Sequence, residues 1–272
     1  MKCLVTGGKG FIGQYLLKKL DNENVGYFTY DLKDGEDILN EHHLARTMIE
    51  ADIVFHLAAE TGVPLSWIDP EYFYYVNVIG TAKVFRLARE LKKKVIFAST
   101  GEVYVCNSPY AATKVAGEAI MDVELQKGAN IVSLRILNPY GKGQPRNYVI
   151  PLFIRKALNN EDLTLHNGGK QRKDYIYTTD LADLFWLAKD FPSGSKLDAG
   201  TGETTSIKEL AEIIIKVTSS KSKLTEAGVE RPGEKDELKG DLTPFNKIGW
   251  QPRVPLEEGV KLVKEEYEKV SV

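Results

Sequence analysis

Two periods of apolar residues alternate along the first two-thirds of the chain. Short apolar runs at Lys2–Val5, Tyr27–Tyr30, Ile53–Leu57, Val95–Ala98 and Ile131–Leu134 read as strands. Between them, Phe11–Leu20, Glu71–Leu91 and Tyr110–Leu125 carry apolar residues at helical spacing. This rhythm predicts an α/β fold, a parallel sheet with helices on both faces. After Asn138 the texture changes, because Pro139, Gly141, Gly143 and Pro145 interrupt it. Helices are expected over Val149–Leu158, Ile207–Val217 and Leu256–Val270, with a turn at Asn167–Gly169 and a last strand at Lys196–Ala199. Thr179 or Asp180 is expected to cap a helix that runs to about Lys189. Ser219–Lys223 reads as a solvated loop. The division that follows is residues 1–138 and 174–200 in the sheet-bearing domain, and 139–173 and 201–272 in a small C-terminal lobe.

Composition closes several options without changing this picture. The 272 residues are 43% hydrophobic and 27% charged, which permits a core of ordinary size. The formal net charge of −2 offers no basic surplus for nucleic acid or an anionic membrane. No run of about eighteen apolar residues is present, so no membrane span is expected. The apolar stretch after Lys2 is too short for a signal peptide, and the cytosol is the expected compartment. Cys3 and Cys106 stand far apart, and the four histidines form no HExxH. Neither a disulfide framework nor a metal is expected.

The first strand leads into chemistry. Cys3–Val5 runs straight into Thr6-Gly7-Gly8-Lys9-Gly10-Phe11-Ile12-Gly13, where Gly7, Gly10 and Gly13 have the spacing GxxGxxG. The first glycine permits the turn, the second lets a pyrophosphate approach the backbone, and the third lets helix and strand sit close. The phosphates then lie at a helix N-terminus, where free N–H groups and the dipole favour negative charge. Such a turn between the first strand and the first helix predicts a Rossmann-type dinucleotide site. Asp31 ends the second strand, eighteen residues after Gly13. A carboxylate there accepts hydrogen bonds from the adenosine ribose and repels a 2′-phosphate, favouring NAD over NADP. The plainer alternative is a helix cap or a solvated turn, and Lys33 nearby pulls against the NAD choice.

Tyr110 and Lys114 form Tyr-x-x-x-Lys, one turn apart on one helix face. A free tyrosine titrates near about 10 and is a poor base at neutral pH, but a neighbouring ammonium favours the phenolate. With these residues in place the chain resembles the extended short-chain dehydrogenase/reductases, and among them the NAD-dependent nucleotide-sugar epimerases and dehydratases. Thr6–Gly13 is similar to the family's TGGxGFIG, and His56-Leu57-Ala58-Ala59 to its HLAA. Asn77–Thr81 is similar to NVxGT, Ser99-Thr100 with Val103-Tyr104 to ST…VY, and Leu134-Arg135 with Asn138–Gly141 to LRxxNxYG. Asp174-Tyr175 with Asp180 resembles RDFxxVxD, Arg231–Glu234 resembles RPGD, and Gly249–Pro252 resembles GWxP. The resemblance covers nearly the whole chain.

The resemblance implies roles. Tyr110 is the expected base on a sugar 4-hydroxyl, Thr100 the group that hydrogen-bonds that hydroxyl, and Lys114 the residue that tunes Tyr110 and holds the nicotinamide ribose. Gly7, Gly10, Phe11, Ile12, Gly13, Asp31, Asp37, Ile38, Leu57, Ala58, Ala59 and Asn77 are the expected NAD contacts. Asn138, Arg231 and either Arg172 or Lys173 are expected to hold the substrate diphosphate. The plainer readings are that Asn77 caps a local turn, that Asn138 prepares the turn into Pro139, and that Thr100 is an ordinary strand residue.

Three departures stand out. Thr100 and Tyr110 are only ten residues apart, less than half the family's usual separation. Lys173 replaces the arginine before Asp174 and lacks the bidentate guanidinium fork. Thr100-Gly101-Glu102 lies between the epimerase and the dehydratase patterns, and strand alternation is expected to put residues 100 and 102 on the same side. The leading expectation is a UDP-glucose/UDP-galactose-type 4-epimerase, an isomerase of UDP-hexoses working through a 4-keto sugar. The alternatives are a 4,6-dehydratase or UDP-glucuronate decarboxylase using Glu102, a 4-keto-sugar reductase, and a non-enzymatic NAD-binding scaffold or sensor. A homodimer is expected, with the helices 71–91 and 110–125 packed across a two-fold axis.

Overall fold

A computed structural model of the chain describes residues 1–227 and 237–268. In chain order the elements are β1 (Lys2–Thr6), α1 (Phe11–Asn22), β2 (Gly26–Tyr30), α2 (Glu41–Ile49), β3 (Ile53–His56), α3 (Val63–Ile68) and α4 (Pro70–Phe73). Next come α5 (Thr81–Glu90), β4 (Lys94–Thr100), α6 (Pro109–Gln126), β5 (Asn130–Ile136), β6 (Asn138–Tyr140), α7 (Val149–Leu158), β7 (Leu163–Leu165), β8 (Arg172–Lys173) and β9 (Tyr175–Tyr177). The chain continues through α8 (Thr178–Ala188), β10 (Lys196–Ala199), β11 (Thr205–Ser206), α9 (Ile207–Thr218), β12 (Leu224–Glu226), β13 (Glu237–Leu238), α10 (Thr243–Asn246) and α11 (Leu256–Glu268).

The chain forms two compact units, one of Met1–Ile136 with Leu181–Ala199 and one of Leu137–Asp180 with Gly200–Val272. The first holds a six-stranded parallel sheet in the order β10-β5-β4-β3-β1-β2 with helices around it, a Rossmann-type fold. The strand order reverses at β1, and in open α/β sheets a ligand binds beyond the C-terminal strand ends at such a point. Leu4, Val54, Phe85, Val95, Phe97 and Ile131 form the centre of its core. Leu16 and Leu20 of α1 are fully buried, each worth roughly 1.5–3 kcal/mol. The contact between α6 and β4 is unusually close. A β-carbon at Gly117 would stand 2.9 Å from the Phe97 ring, so only glycine lets α6 lie this near the strand.

The helix expected over Glu71–Leu91 is continuous but not uniform, because Tyr74–Gly80 is π-helical and joins α4 to α5. Hydrogen bonding from i to i+5 accommodates an extra residue, often at a functional position. Asn77 sits within this stretch.

The second unit is built from short pieces. β6 pairs with β9, β7 with β12, and β11, β8 and β13 make a three-stranded sheet. Its core gathers Tyr140, Phe153, Ile154, Ile214 and Val260. Residues 174–180, expected in the sheet-bearing domain, fall in this unit because β9 pairs with β6 and not with the six-stranded sheet. The expected cap of α8 is also corrected. The helix begins at Thr178, and the Asp180 carboxylate accepts instead from the backbone N–H groups of Arg253 (2.9 Å) and Val254 (3.0 Å).

Candidate active site

β1 ends at Thr6 and the chain turns at Gly7, whose φ of 71° is left-handed and suits glycine. The Gly7 N–H donates to the Tyr30 carbonyl, and the Gly10 N–H to the Gly7 carbonyl. A β-carbon at Gly7 would meet the Ala58 nitrogen at 2.7 Å, and one at Gly13 would meet the Gly7 oxygen at 2.4 Å. The turn is therefore closed against both the end of β3 and its own helix. At the start of α1 the N–H groups of Phe11, Ile12 and Gly13 find no acceptor among the described residues. Free donors at a helix N-terminus, reached over bare glycine backbone, fit the pyrophosphate of a dinucleotide.

Asp31 is buried at the end of β2, where it caps a single 3₁₀ turn, Leu32–Asp34. One carboxylate oxygen accepts from the Lys9 N–H (2.8 Å) and the other from the Lys33 N–H (2.9 Å). A carboxylate has about four acceptor positions, so capacity for ribose hydroxyls remains. The cap and the cofactor reading are thus compatible. The Lys33 ammonium donates to the Lys9 carbonyl (2.8 Å) and Lys9 pairs with Asp34, so both cations are committed locally. Asp37 caps its own turn through Leu39 N–H, while Ile38 is a core residue packed over Gly80.

A polar relay lies behind the turn. The Thr6 hydroxyl bonds His56 Nδ1 (2.8 Å), and His56 Nε2 bonds the Thr81 hydroxyl (3.1 Å). The Thr6 hydroxyl also accepts from the Ala58 N–H, and Leu57 N–H donates to the Thr6 carbonyl. Burial, reinforced by the Lys114 charge, pushes the His56 pKa down to about 3, so the ring is neutral. Asn77 is buried and pairs with the Glu60 backbone in both directions, accepting from its N–H (2.8 Å) and donating to its carbonyl (3.0 Å). It donates as well to Thr113 on α6 (3.1 Å). The side chain expected at the cofactor thus holds the segment after Leu57, Ala58 and Ala59 in place. Sequence reasoning missed Thr6, Thr81 and Thr113 as partners. The available signal was a hydroxyl inside an apolar run beside a buried histidine or asparagine.

Thr100 is the last residue of β4, and a 3₁₀ turn over Gly101–Tyr104 follows at once. The Thr100 hydroxyl accepts from the Glu102 N–H at 3.3 Å. The expected alternation of residues 100 and 102 therefore fails, because the strand has already ended. α6 begins one residue earlier than expected, with Ser108 as its cap accepting from Ala111 N–H and Pro109 at its first position. The Ser-Pro pair was a legible start signal. Tyr110 packs edge-on against Phe73, ring centroids 6.4 Å apart. Lys114 is buried, donates to the Ala98 carbonyl at 2.9 Å and lies 5.1 Å over the Phe97 ring. Burial pushes its pKa down to about 8. β4 and α6 of the first unit thus carry Thr100, Tyr110 and Lys114 on adjoining elements.

The expected diphosphate ligands belong to the second unit. Asn138 donates to the Asp174 carbonyl (3.1 Å), bracing β6 against β9. Arg172 is engaged with the Thr204 hydroxyl and carbonyl and forms an ion pair with Glu209 at 3.1 Å. Lys173, its neighbour on β8, has no ion pair among the described residues, so of the two it is the readier cation. Arg231 lies outside the described residues. The adjacent Asp174 is fully buried and accepts from the Thr201 N–H and hydroxyl, Gly202 N–H and Gly240 N–H. Among the described residues no group of three or more His, Cys, Asp or Glu could hold a metal ion, and no helix is long and apolar enough to cross a membrane.

A family model described as the NAD dependent epimerase/dehydratase family matches residues 3–198. The chain is 31% identical to the dTDP-D-glucose 4,6-dehydratase of Mus musculus over 317 aligned residues, covering 98% of this chain and 89% of that protein. It is 31% identical to the UDP-N-acetyl-alpha-D-glucosaminuronate decarboxylase of Bacillus cytotoxicus, covering 96% and 95%. The crystal structure of a UDP-glucose 4-epimerase with UDP-glucose from Thermotoga maritima superposes with a TM-score of 0.92 at 26% identity, covering 100% of both chains. The first alignment is longer than the chain, so that relative carries residues which this chain lacks.

Proposed function

Since this chain belongs to the NAD-dependent epimerase/dehydratase family, whose members modify nucleotide sugars, we propose that it is a 4-epimerase of UDP-hexoses of the UDP-glucose/UDP-galactose type. NAD, when bound at the glycine turn, supplies the acceptor and donor of hydride at the sugar C4. Gly7, Gly10 and the amides of Phe11, Ile12 and Gly13 hold its pyrophosphate, and Asp31 its adenosine ribose. Tyr110 takes the proton from the 4-hydroxyl and returns it after the 4-keto sugar has turned. Lys114, with its pKa at about 8, is mostly protonated at pH 7 and one helical turn from Tyr110, where its charge favours the phenolate. Thr100 hydrogen-bonds the same hydroxyl. Asn138, Lys173 and Arg231 hold the diphosphate, with Arg172 supporting them from within its own ion pair.

The observation that carries the choice of epimerase is the end of β4 at Thr100. A dehydratase needs a base for C5 and an acid for the departing 6-hydroxyl. Gly101 offers no acid, and Glu102 lies in a 3₁₀ turn, not on the strand face of Thr100. One contact favours a second reading. The Glu102 N–H reaches the Thr100 hydroxyl, so the carboxylate is tethered near the same end of the strand. A dehydratase or decarboxylase would draw on it. Turnover of UDP-glucose in D₂O separates the two. Formation of UDP-galactose without deuterium at C5 is expected. Deuterium at C5, loss of water, or CO₂ released from UDP-glucuronate would move Glu102 into the catalytic set and replace the epimerase reading.

The homodimer belongs to the same proposal. Tyr75, Ile79, Val115 and Val123 are exposed apolar residues on the two helical segments expected at the two-fold axis. Light scattering after gel filtration is expected to give twice the 30.4 kDa chain mass, and a monomer across the micromolar range would refute it.

A further inference from the structure

The connection from Thr100 to the Ser108 cap is short, yet it separates the hydroxyl at the end of β4 from the Tyr110–Lys114 face. It contains the 3₁₀ turn Gly101–Tyr104 and a left-handed residue, Cys106, with φ of 48°. What holds this span is a polar network on its sheet side. Glu118 follows Lys114 by one turn of α6 and is buried. Its carboxylate accepts from the Ser99 hydroxyl (2.8 Å), the Ser133 hydroxyl (3.0 Å), Arg135 Nε (2.9 Å) and Arg135 Nη2 (2.7 Å). Ser99 immediately precedes Thr100. Arg135 then turns its remaining nitrogen outward, where Nη1 donates to the Tyr104 hydroxyl at 2.9 Å and the guanidinium lies 4.9 Å from the Tyr104 ring. The Tyr104 hydroxyl donates in turn to Asp198 on β10 at 2.7 Å.

From this geometry we propose that Glu118, Arg135 and Tyr104 are positioning residues, a clamp that sets the reach from the Thr100 hydroxyl to the Tyr110–Lys114 face. One carboxylate joins the residue before Thr100 to the helix turn after Lys114, and one guanidinium extends that joint to the far end of the 3₁₀ turn. A bidentate guanidinium–carboxylate pair fixes direction as well as distance, which a lysine could not do. Burial works to raise the Glu118 pKa, yet the bonds from Arg135, Ser99 and Ser133 hold it below the usual carboxylate value, so the pair stays charged. The clamp spans the short connection between Thr100 and the Ser108 cap.

The test is Tyr104→Phe, which keeps the ring on Arg135 and removes only the hydroxyl. Arg135→Leu is unsuitable, since it strands the buried Glu118 charge and costs the fold. Two measurements on the NAD-bound protein decide the matter. In hydrogen exchange, amides of residues 101–108 are expected to exchange faster in Tyr104→Phe, while those of β1 and α1 stay unchanged. With UDP-galactose as substrate, kcat is expected to fall about tenfold or more and KM to change less than about twofold. In a Thr100→Ala background the same substitution is expected to cost little further, because it acts through that hydroxyl. Unchanged exchange would overturn the clamp whatever sugar the enzyme takes. Faster exchange with unaltered kcat would overturn its role in positioning. The kinetic arm rests on the epimerase reading. A wild-type protein inert toward UDP-galactose refutes that reading alone, and the same kcat comparison is then made with dTDP-glucose and UDP-glucuronate.

Discussion

Lys114→Met should make the apoprotein more stable while it lowers turnover. The wild-type ammonium is held in a buried site where it donates to the Ala98 carbonyl, and burial has moved its pKa from 10.5 to about 8. At ~1.4 kcal/mol for each tenfold change, that displacement costs the folded state about 3 kcal/mol at neutral pH. Methionine fills similar space without charge. The lost hydrogen bond to Ala98 returns about 1 kcal/mol of this, leaving a net gain of about 2 kcal/mol. The pH dependence identifies the cause. Because the folded pKa is lowered, the unfolded chain binds the extra proton between about pH 8 and 10.5, and wild-type stability rises with pH through that window. The variant has no such group, so its advantage should shrink by roughly 2 kcal/mol between pH 7 and pH 9.5. Urea unfolding followed by tryptophan fluorescence at the two pH values measures this, with Trp67 and Trp186 reporting on the first unit. A variant no more stable than wild type at pH 7, or a difference that does not change with pH, would refute the desolvation argument.

Tyr110→Phe should reduce turnover by about 10²–10⁴-fold with NAD affinity and unfolding midpoint nearly unchanged, and a near-normal rate would assign the base elsewhere. Asp31→Ala should weaken NAD more than NADP in a binding titration. Both affinities should drop somewhat, because the carboxylate also holds the Lys9 and Lys33 amides, and an unchanged NAD-to-NADP ratio would remove Asp31 from cofactor choice. Gly13→Ala places a methyl 2.4 Å from the Gly7 oxygen, so it should cost roughly 1–3 kcal/mol of stability and abolish NAD binding at millimolar cofactor. Retained binding would mean that the turn opens without harm.

The parts of this molecule that depend on neighbours in sequence were readable from it. The Gly7–Gly13 turn is local, and the i,i+4 spacing of Tyr110 and Lys114 needs only a helix. The helix at Val149–Leu158 has the bounds its periodicity predicted. What escaped depends on residues far apart in sequence, or on segments too short to show a period. β8, β11 and β13 have two residues each, fewer than any alternation can register. α2, Glu41–Ile49, went unassigned although Asn40 caps it, because Glu41, His42, His43 and Arg46 dilute its apolar stripe. Arg172 reads as available to a diphosphate, yet Thr204 and Glu209, more than thirty residues further along, already engage its guanidinium. Glu102 was placed by strand alternation, which holds only while the strand lasts.

The π-helical stretch holds one residue outside the regular count of the long helix. Tyr74–Gly80 stores one residue beyond what an α-helix of that length requires. Deleting a single residue there would let the backbone relax to α geometry without breaking the helix, and because the wider turn already absorbs that residue, the helix on either side would keep nearly the same phase. Thr81, Val84 and Phe85 would keep their places in the core. What would be lost is the wide turn itself, which presents Asn77 to the Glu60 backbone and to Thr113. The penalty would fall on the loop beyond β3, and thermal stability would stay close to that of the parent. The segment works like a pleat in a ribbon, taking up length at one place so that both ends still lie flat.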